Sequence, residues 1–596
     1  MATNTDFISI AAAGTLGGLL RERAKRSPDA IAYRDFNLDS QTWIDRTWRD
    51  VEQEAARWQA GFKRQGLKSG DRVALILRNC SHWAAFDLAA LGLGLVVVPV
   101  YVEDRPENSA YCLNDSGAKL LFLEGAEHWQ RLKPVLGLMP QIERFVTLRK
   151  VSDDEPRLVC ASDWLQATSD AYIAIPLEPG SLATIVYTSG TTGRPKGVML
   201  SHHNILSNVW SALQTFAIYP SDRFLSFLPL SHMLERMSGY YLAIMAGATV
   251  AYARSVALLA EDLLSQQPTI LVSVPRIYER VYTRINEQLA IGSPIKRKLF
   301  QLAASVGWAR FEYQQKRGPW MPSFLLWPIL EKLVAGKIMA RLGGRLRTAI
   351  AGGAALAPDI SKVFIGLGLP ILQGYGLTET SPLLTVNRAA DNQPASVGQA
   401  APGTELKVGD NNVLLARGPQ VMLGYWNNPE ATQAILSADG WLNTGDQARI
   451  DPSGHVYITG RIKDIIVMAN GEKLPPVDME LAIISDSLFE QAMVLGEGKP
   501  YLAALVSLNL EQWHKLATQS GFAADNPNTE AVHKLLLERI AARLNSFPGY
   551  AQIRRIAATL TPWSVDSGFL TPTLKVKRVK VLEHFNRDIA ALYEHK

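Results

Sequence analysis

A run of small, flexible and hydroxyl-bearing residues forms the densest chemical pattern in the sequence. Residues 187–197 read YTSGTTGRPKG and directly follow the apolar stretch LATIV. Glycines allow backbone N–H groups to approach a phosphate chain, threonine and serine hydroxyls add hydrogen-bond donors, and Lys196 adds a positive charge. Because Lys196 follows a proline and precedes a glycine, the spacing does not match the G-x-x-x-x-G-K-[ST] pattern of NTPases. The run therefore predicts a phosphate-binding loop of another type.

Two residues further along have side chains suited to the rest of a nucleotide. Tyr375 lies in the string QGYGLTET of residues 373–380 and offers a flat π-face for adenine, between glycines that permit close approach. Glu379 in the same string is a carboxylate of the kind that holds Mg²⁺ against phosphates. A single tyrosine or glutamate is more often structural, so these interpretations depend on the motifs as a set.

The set of motifs resembles the signatures of the adenylate-forming, or acyl-activating, enzyme superfamily, whose members activate carboxylates with ATP. It also includes WLNTGD at 441–446, GRIKD at 460–464 and LTPTLKVKR at 570–578, in the order found in that family. LPLSHMLER at 228–236 and VPRIYERV at 274–281 resemble the long-chain fatty acyl-CoA synthetases within it. The resemblance covers nearly the whole chain.

An alternation of apolar strands and helices predicts an α/β fold with mainly parallel sheets. RVALILRN, LVVVPVY and KLLFLE are typical of buried strands and HWAAFDLAALGLG of a helix, and TILVSVP, LRTAIAGGAAL and PILQGYG continue the alternation. From about Gly403, shorter runs separated by turns, such as NNVLLARGP and GHVYITGR, indicate a β-rich subdomain. The resemblance implies a small, mobile C-terminal α/β domain after it.

These patterns predict two domains. We expect an N-terminal adenylate-binding domain of α/β subdomains over 1–462, with the β-rich subdomain at about 400–462. The mobile C-terminal domain is expected over 463–596 and carries the catalytic lysine. The boundary at Lys463 and Asp464 coincides with the hinge of the family, about which this domain is implied to rotate between two half-reactions.

The resemblance implies site residues that are matched position by position to the family motifs. Four of them are expected to take part in catalysis: Lys575, Lys196, His232 and Glu379. Thr188 and Glu379 are expected to hold Mg²⁺. The residues expected to bind the nucleotide are Thr188, Ser189, Gly190, Thr191, Thr192, Gly193, Lys196, Gly353, Gln373, Gly374, Tyr375, Gly376, Thr378, Asp446, Arg461, Lys463 and Lys575.

Lys575 has the most specific expected role. A lysine near a carboxylate oxygen and an α-phosphate neutralises the charge that builds up as one anion attacks another, an electrostatic effect of about a few kcal/mol. The family more often has glycine directly before this lysine, whereas this chain has Leu574. Lys577 therefore remains an alternative, and Arg578 is expected to be a solvated neighbour.

The implied reaction has two steps. A fatty acid of medium to long chain and Mg-ATP give acyl-AMP and pyrophosphate, and coenzyme A then displaces AMP to give acyl-CoA. Acyl transfer to an acyl carrier protein, or release of acyl-AMP alone, remains open. A nucleotide-binding protein without turnover is disfavoured because Lys196, Glu379, Asp446 and Lys575 are all present. The aromatic gate of some relatives is replaced by Arg236, so the gating of the acyl tunnel also remains open.

The composition is that of a large globular protein. The 596 residues are 47% hydrophobic and 20% charged, and a net charge of +5 is too small for this length to indicate a nucleic-acid partner. Cys80, Cys112 and Cys160 are widely spaced and show no pairing pattern, so we expect a reducing, cytoplasmic compartment without disulfides or zinc. We expect neither a secretory signal nor a membrane-spanning helix.

One segment has an unusual charge balance. Over 295–347, lysines and arginines outnumber the acids Glu312 and Glu331 several-fold, around the apolar string WMPSFLLWPIL. A basic, aromatic helical region of this kind can lie on an anionic membrane, here the inner face of the cell membrane. It can equally be a solvated basic face over a helical core, or a surface for an acidic carrier protein.

Overall fold

The structure is a computed structural model of the chain. It describes residues 5–168, 170–188, 194–461, 465–469, 472–545, 547, 551–571 and 575–594, apart from the side chain of Lys473.

The strands have the following bounds in chain order: β1 Ile31–Asn37, β2 Thr42–Thr47, β3 Arg72–Ile76, β4 Val96–Pro99, β5 Leu120–Leu123, β6 Arg144–Thr147, β7 Leu158–Cys160, β8 Leu182–Thr188, β9 Lys196–Ser201, β10 Arg223–Ser226, β11 Thr249–Tyr252, β12 Ile270–Ser273, β13 Thr348–Ala351, β14 Ile371–Gly376, β15 Leu383–Val386, β16 Gln399–Ala400, β17 Glu405–Val408, β18 Val413–Arg417, β19 Gly424–Tyr425, β20 Leu442–Ile450, β21 Val456–Arg461, β22 Ile466–Val467, β23 Lys473–Leu474, β24 Phe489–Leu495, β25 Leu502–Leu508 and β26 Ile553–Thr559.

The α-helices have the following bounds: α1 Ile10–Ala13, α2 Leu16–Arg26, α3 Trp48–Arg64, α4 Ser81–Gly92, α5 Pro106–Ser116, α6 Ala126–Leu132, α7 Ala161–Trp164, α8 His202–Thr215, α9 Met233–Glu235, α10 Leu242–Ala246, α11 Leu259–Gln266, α12 Pro275–Ile291, α13 Pro294–Gln314, α14 Trp327–Leu330, α15 Gly336–Arg341, α16 Pro358–Gly366, α17 Pro429–Gln433, α18 Pro476–Ile484, α19 Leu510–Ser520, α20 Glu530–Arg543, α21 Arg578–His584 and α22 Asn586–Ala591. Short 3-10 helices span Lys133–Leu138, Pro322–Leu326, Thr378–Thr380 and Asp410–Asn412, and π-helical turns span Arg236–Tyr241 and Glu331–Ala335.

Two large mixed sheets form the N-terminal part, and each has a parallel centre. In the order β16-β15-β14-β13-β12-β10-β11-β1-β2, the neighbours from β14 to β1 are parallel. In the order β19-β9-β8-β4-β3-β5-β6-β7, the neighbours from β8 to β7 are parallel. Strands such as β4, β5 and β12 are buried along their whole length, which explains why the sequence there is continuously apolar.

Smaller sheets follow in the second part of the chain. The β-rich part is the antiparallel sheet β17-β18-β20-β21, which ends at Arg461. The C-terminal part contains the pair β22-β23 and the sheet β24-β25-β26, with apolar cores around Trp513 and Trp563. The predicted fold class is confirmed. The expected boundary between residues 462 and 463 lies outside the described residues and stays a prediction.

The predicted strands of the first half lie where the patterns indicated. RVALILRN, LVVVPVY and KLLFLE contain β3, β4 and β5, and the predicted helix is α4. TILVSVP, LRTAIAGGAAL and PILQGYG contain β12, β13 and β14, which are parallel neighbours in one sheet. Because these strands run in the same direction, the loops after them meet at the carboxyl edge of the sheet, where open α/β folds bind ligands.

Candidate active site

A cavity of about 940 Å³ lies beside the carboxyl ends of β8, β13 and β14, and thus next to both large sheets. Residues of the C-terminal part, Thr571 and Lys575, complete its wall. The cavity therefore brings together residues that are far apart in the sequence and that belong to different motifs.

The antiparallel strands β8 and β9 bring the two ends of the predicted phosphate-binding loop to this cavity. β8 ends at Thr188 and β9 begins at Lys196, and the two residues are partners across the antiparallel pair. Both line the cavity, and the Thr188 hydroxyl donates to the Lys196 carbonyl oxygen at 3.5 Å. The predicted loop residues outside the described part are Ser189, Gly190, Thr191, Thr192 and Gly193.

Tyr425 holds two of the predicted catalytic residues on one wall. The short strand β19 pairs with β9 and sets Tyr425 opposite Val198. The Lys196 ammonium lies 5.0 Å from the centre of the Tyr425 ring, and the Tyr425 hydroxyl donates to Glu379 Oε1 at 2.7 Å. Burial and the Glu379 carboxylate raise the pKa of Tyr425, so the hydroxyl stays a donor. One aromatic ring thus places a cation and a carboxylate side by side.

A second hydrogen-bonded group connects three predicted nucleotide-binding residues, Tyr375, Asp446 and Arg461. The Tyr375 hydroxyl donates to Asp446 Oδ2 at 2.6 Å, and Arg461 Nε donates to Asp446 Oδ1 at 2.7 Å. Asp446 and Arg461 are partners in β20 and β21. Burial and the neighbouring Asp446 carboxylate raise the pKa of Tyr375. Tyr375 and Arg461 line the cavity, and the buried Asp446 carboxylate between them has lone pairs left to accept further hydrogen bonds.

Glycines at the carboxyl edge are required by the backbone. A Cβ at Gly376 would lie 1.7 Å from the Pro382 carbonyl oxygen, so a larger residue does not fit there. Gly353, after β13, has a φ of +81°, which favours glycine. The predicted nucleotide-binding residues of this edge that line the cavity are Gly353, Gly374, Gly376 and Thr378.

Gln373 is a buried residue whose side chain serves the scaffold. Its Nε2 donates to the Pro394 carbonyl oxygen, and its Oε1 accepts from the Leu356 backbone N–H at 3.3 Å. Both amide groups are therefore engaged by loops of the protein. The structure thus places this predicted nucleotide-binding residue behind the edge that Gly374 and Tyr375 form.

His232 reaches the cavity from the loop after β10. Its Nδ1 accepts the backbone N–H of Leu234 at 3.2 Å, so the neutral ring carries its proton on Nε2. Burial, followed by the charge of Lys575, lowers the pKa of His232 to about 4. At neutral pH the ring is therefore an uncharged donor on the cavity wall.

Lys575 and Lys577 lie in different cavities. Lys575 lines the large cavity and shares two hydrogen bonds with Thr571. Thr571 N donates to Lys575 O at 2.8 Å, and Lys575 N donates to Thr571 Oγ1 at 3.0 Å. Lys577 lines a second cavity of about 680 Å³ between α5 and α21, where burial lowers its pKa. Of the two candidate lysines, Lys575 shares the large cavity with His232.

Arg236, the residue at the gate position, is fully buried. Its guanidinium pairs with Asp87 and donates to Thr184 Oγ1 at 2.8 Å. The rings of Trp83 and Tyr241 lie 5.2 and 5.6 Å from it. These contacts anchor Arg236 in the core, on the π-helical turn that follows α9.

One side of the cavity is apolar. Two residues that line the cavity, Met237 and Ser238, come from the stretch 235–248, and the rest of that stretch is buried core. The apolar lining residues include Phe216, Leu234, Met237, Ile350, Ala351 and Leu383.

The donor set of Thr188 and Glu379 fits Mg²⁺ that is shared with phosphates. Mg²⁺ takes oxygen ligands and is commonly held by one or two carboxylates together with substrate phosphates. Both residues line the cavity. Glu379 Oε1 accepts from the Tyr425 hydroxyl, which leaves Oε2 of the same carboxylate as a ligand for the ion. Among the described residues, no cluster of three or more His, Cys, Asp or Glu forms a cage made by protein alone.

Tyr425 is the functional candidate that sequence reasoning missed. The string GYWNNP offered a weak sign, an aromatic pair beside turn-forming residues. The position of Tyr425 next to Lys196 follows from the pairing of β19 with β9, which no local pattern indicates.

Comparison with known proteins identifies the family. Residues 20–426 match the family described as AMP-binding enzyme, and residues 463–596 match the AMP-binding enzyme C-terminal domain. The long-chain-fatty-acid–CoA ligase FadD15 of Mycobacterium bovis is 32% identical over 98% of this chain and 99% of its own. The chloroplastic long-chain-fatty-acid–acyl-carrier-protein ligase AEE15 of Arabidopsis thaliana is 28% identical over 96% of this chain and 86% of its own.

A solved structure has the same fold. ATP-bound MatB from Rhodopseudomonas palustris matches with a TM-score of 0.69 at 20% identity, over 96% of this chain and 99% of the other. The family matches span both parts of the chain, and its motifs stand in the family's order. The chain therefore belongs to the AMP-binding, adenylate-forming enzymes.

Proposed function

We propose that the protein is an AMP-forming ligase that joins a fatty acid of medium to long chain to coenzyme A through an acyl-adenylate. The observation that carries this proposal is the meeting of Lys575, His232 and Lys196 on one cavity that also has an apolar side. Relatives named long-chain-fatty-acid–CoA ligase, 32% identical over nearly the full chain, support it.

In the first step, a carboxylate oxygen of the fatty acid attacks the α-phosphorus of ATP, and pyrophosphate leaves. Because both reactants are anions, cations and donors that face the developing charge lower the barrier. Lys575 brings an ammonium group, neutral His232 donates from Nε2, and Lys196 stands at the phosphate loop. The hydrogen-bonded group of Tyr375 and Asp446 holds the nucleoside in place.

Thr188 and Glu379 are proposed to hold Mg²⁺ with the phosphates of ATP. When bound, the ion neutralises phosphate charge and orients the leaving group. Tyr425 orients Glu379 through its hydroxyl and positions Lys196 through its ring. A single residue thereby sets the relative positions of both charged groups.

In the second step, the thiol of coenzyme A attacks the acyl carbonyl and AMP leaves. Lys575 lines the same cavity as His232, and its ammonium withdraws in this proposal before a thiol approaches the same carbonyl. We attribute this withdrawal to rotation of the C-terminal domain about the hinge expected at Lys463, which lies outside the described residues.

The proposal is tested by a series of straight-chain carboxylic acids from acetate to eicosanoate, each with ATP and with or without coenzyme A. Pyrophosphate, AMP and thioester are measured. We expect AMP and thioester in equal amounts with acids of medium to long chain, because the apolar side of the cavity binds the alkyl chain. Formation of ADP, or activity confined to acetate, would contradict the proposal.

An acyl carrier protein is the second candidate acceptor. The similarity to a relative named as an acyl-carrier-protein ligase favours it. The same assay with reduced acyl carrier protein in place of coenzyme A distinguishes the acceptors. Pyrophosphate release with thioester on the carrier alone would favour the second candidate, and pyrophosphate without either thioester would favour an enzyme that stops at acyl-AMP.

We also propose that the enzyme is cytoplasmic and meets the inner face of the membrane peripherally through residues 295–347. Among the described residues, no helix combines the length and apolarity that crossing a bilayer demands. The excess of lysine and arginine in this segment supports contact with an anionic surface.

A further inference from the structure

The helical stretch 322–341 is apolar on two sides. It joins a 3-10 helix, α14, a π-helical turn and α15 without a gap. On its inner side, Trp327, Leu330 and Ala335 are buried and pack with residues of α13. A helix on the surface of a globular protein needs apolar residues on this inner side alone.

The other side of the stretch, together with the two residues that precede it, exposes a cluster of large apolar side chains. Leu325 is 73% exposed and Ile329 is 59% exposed. Single exposed apolar residues are ordinary, but a contiguous group marks an interaction surface. We name this group the outer face, and it consists of Trp320, Met321, Leu325, Leu326, Ile329 and Leu333.

Aromatic contacts connect the outer face to the end of α13. The Tyr313 and Phe324 rings lie 5.8 Å apart, and the Trp320 and Phe324 rings lie 6.2 Å apart. Tyr313 is itself 45% exposed. Trp320 therefore lies against the protein with part of its surface open to solvent, an arrangement suited to the boundary between water and hydrocarbon.

Basic residues accompany the outer face. Lys332 and Lys337 are exposed on the same helical stretch, Lys316 is exposed on the turn after α13, and Glu331 is the acid that adjoins them. Lysine side chains extend their charge beyond an apolar surface while their methylene groups pack on it. The apolar side chains of the outer face therefore lie next to positively charged side chains.

We propose that the outer face docks on an anionic lipid bilayer, with Leu325 and Ile329 inserted among the acyl chains and the lysines at the phosphate headgroups. Transfer of leucine and isoleucine side chains from water into hydrocarbon lowers their free energy, and the lysines complement anionic headgroups. An acidic carrier protein would satisfy the lysines but would offer the exposed leucines less apolar surface. This inference rests on the peripheral contact proposed above, and it assigns that contact to particular residues and to a lipid partner.

The inference is tested by co-sedimentation of the full chain with vesicles of phosphatidylcholine alone and of equal parts phosphatidylcholine and phosphatidylglycerol. We expect binding to the mixed vesicles that weakens with added salt, since the lysines contribute through charge. The double variant Leu325→Gln and Ile329→Gln should weaken that binding by about tenfold or more, because it removes two inserted alkyl side chains. The double variant Lys332→Gln and Lys337→Gln should lose the preference for phosphatidylglycerol.

The matched control is the double variant Leu38→Gln and Leu264→Gln, which replaces leucines that are 56% and 53% exposed elsewhere on the protein. We expect it to bind vesicles as the unaltered chain does. Equal binding by the control and by the variant of Leu325 and Ile329 would overturn the inference. The inference would also be overturned if the variant of Leu325 and Ile329 bound vesicles normally but lost acyl transfer to an acidic carrier protein.

Pyrophosphate release from octanoate, a medium-chain acid that dissolves in water, is measured without vesicles and separates this inference from the proposed function. The variant of Leu325 and Ile329 and the variant of Lys332 and Lys337 should both retain that activity, which also shows that they fold. Vesicle binding without pyrophosphate release would leave the docking surface intact and overturn the proposed ligase. Pyrophosphate release without vesicle binding would support the proposed ligase and overturn the docking surface.

Discussion

His232 and Glu235 lie three residues apart in the chain. Burial shifts the pKa of each side chain in the direction that favours its neutral form. The pKa of His232 falls to about 4, and that of Glu235 rises to about 8, opposed in part by the Ser226 hydroxyl. His232 lines the cavity, whereas the Glu235 carboxylate lies in the core against Gly239. The cavity wall therefore has an uncharged donor, and the core beneath the same loop has an acid whose ionisation opposes folding.

Replacement of His232 tests its role as a neutral donor. His232→Ala should lower the rate of pyrophosphate release about a hundredfold, the usual cost of removing one donor that faces developing charge. Because the pKa is about 4, the neutral donor is present above that value and is lost only as the pH falls toward it. The pH profile of the unaltered enzyme should therefore show no step from His232 near the ordinary histidine pKa of about 6.5.

His514→Ala, at an exposed histidine of the C-terminal part, is the control. It should change neither the rate of pyrophosphate release nor its pH profile. A step near pH 6.5 that disappears in His232→Ala would show that the ring titrates normally and contradict the assignment.

Glu235 makes a prediction about stability. Its pKa in the fold is about 8, above the ordinary value of 4.5, so the unfolded chain gives up this proton at lower pH than the folded chain. Stability is therefore lost as the pH rises from about 5 to about 8, by at most about 1.4 kcal/mol per pH unit. Glu235→Gln removes this dependence, so urea unfolding should show the variant gaining stability relative to the parent over that range. The exposed control Glu331→Gln should show no such gain, and a constant difference for Glu235→Gln would refute the prediction.

At the scale of elements, polar contacts connect the C-terminal part to the N-terminal part while Lys575 faces the cavity. Arg105 Nη2, just before α5, donates to the Asp566 carbonyl oxygen at 2.8 Å. Arg276 Nη2, on the first turn of α12, donates to Glu490 Oε1 at 3.2 Å on β24. Such contacts can be broken at small cost, which suits a proposed rotation between two arrangements.

Loss of one of these contacts should affect the two half-reactions differently. Arg276→Ala should slow pyrophosphate release about two- to fivefold, because a partly exposed ion pair contributes little, and should leave thioester formation from supplied acyl-adenylate unchanged. Stopped assays of each half-reaction measure this. Arg280→Ala, an exposed arginine on the same helix, is the control. Equal slowing of both half-reactions by Arg276→Ala would contradict a role in holding the first arrangement.

Local patterns predicted the strands and the motif residues, and non-local pairing determined the rest. Thr188, Tyr375 and Lys575 could be proposed because the short motifs that contain them resemble the motifs of the family. Tyr425 could not, because its place beside Lys196 arises from the pairing of β19 with β9.

The same limit applies to buried polar residues. Arg236 pairs with Asp87, which belongs to a helix far earlier in the chain. The side chain of Gln373, although it lies inside a nucleotide motif, is engaged by Pro394 and Leu356. Periodicity and motif spacing carry no information about such partners, since they come from other loops and helices.

Across the full structure, the candidate active site is divided between the large N-terminal part and the C-terminal part. Lys196, His232 and Glu379 belong to the first, and Lys575 to the second. This division lets the proposed enzyme bring one ammonium group to the cavity for acyl-AMP formation and withdraw it for the thiol. The central claim is therefore that Lys575 serves the first half-reaction and is dispensable in the second.

The most direct test measures both half-reactions in Lys575→Ala, with Lys577→Ala as the control for a neighbouring lysine in the second cavity. We predict that Lys575→Ala loses pyrophosphate release by at least about a hundredfold, yet forms thioester from supplied acyl-adenylate at nearly the parental rate. Lys577→Ala should retain pyrophosphate release. Intact pyrophosphate release in Lys575→Ala, or equal loss of both half-reactions, would contradict the account.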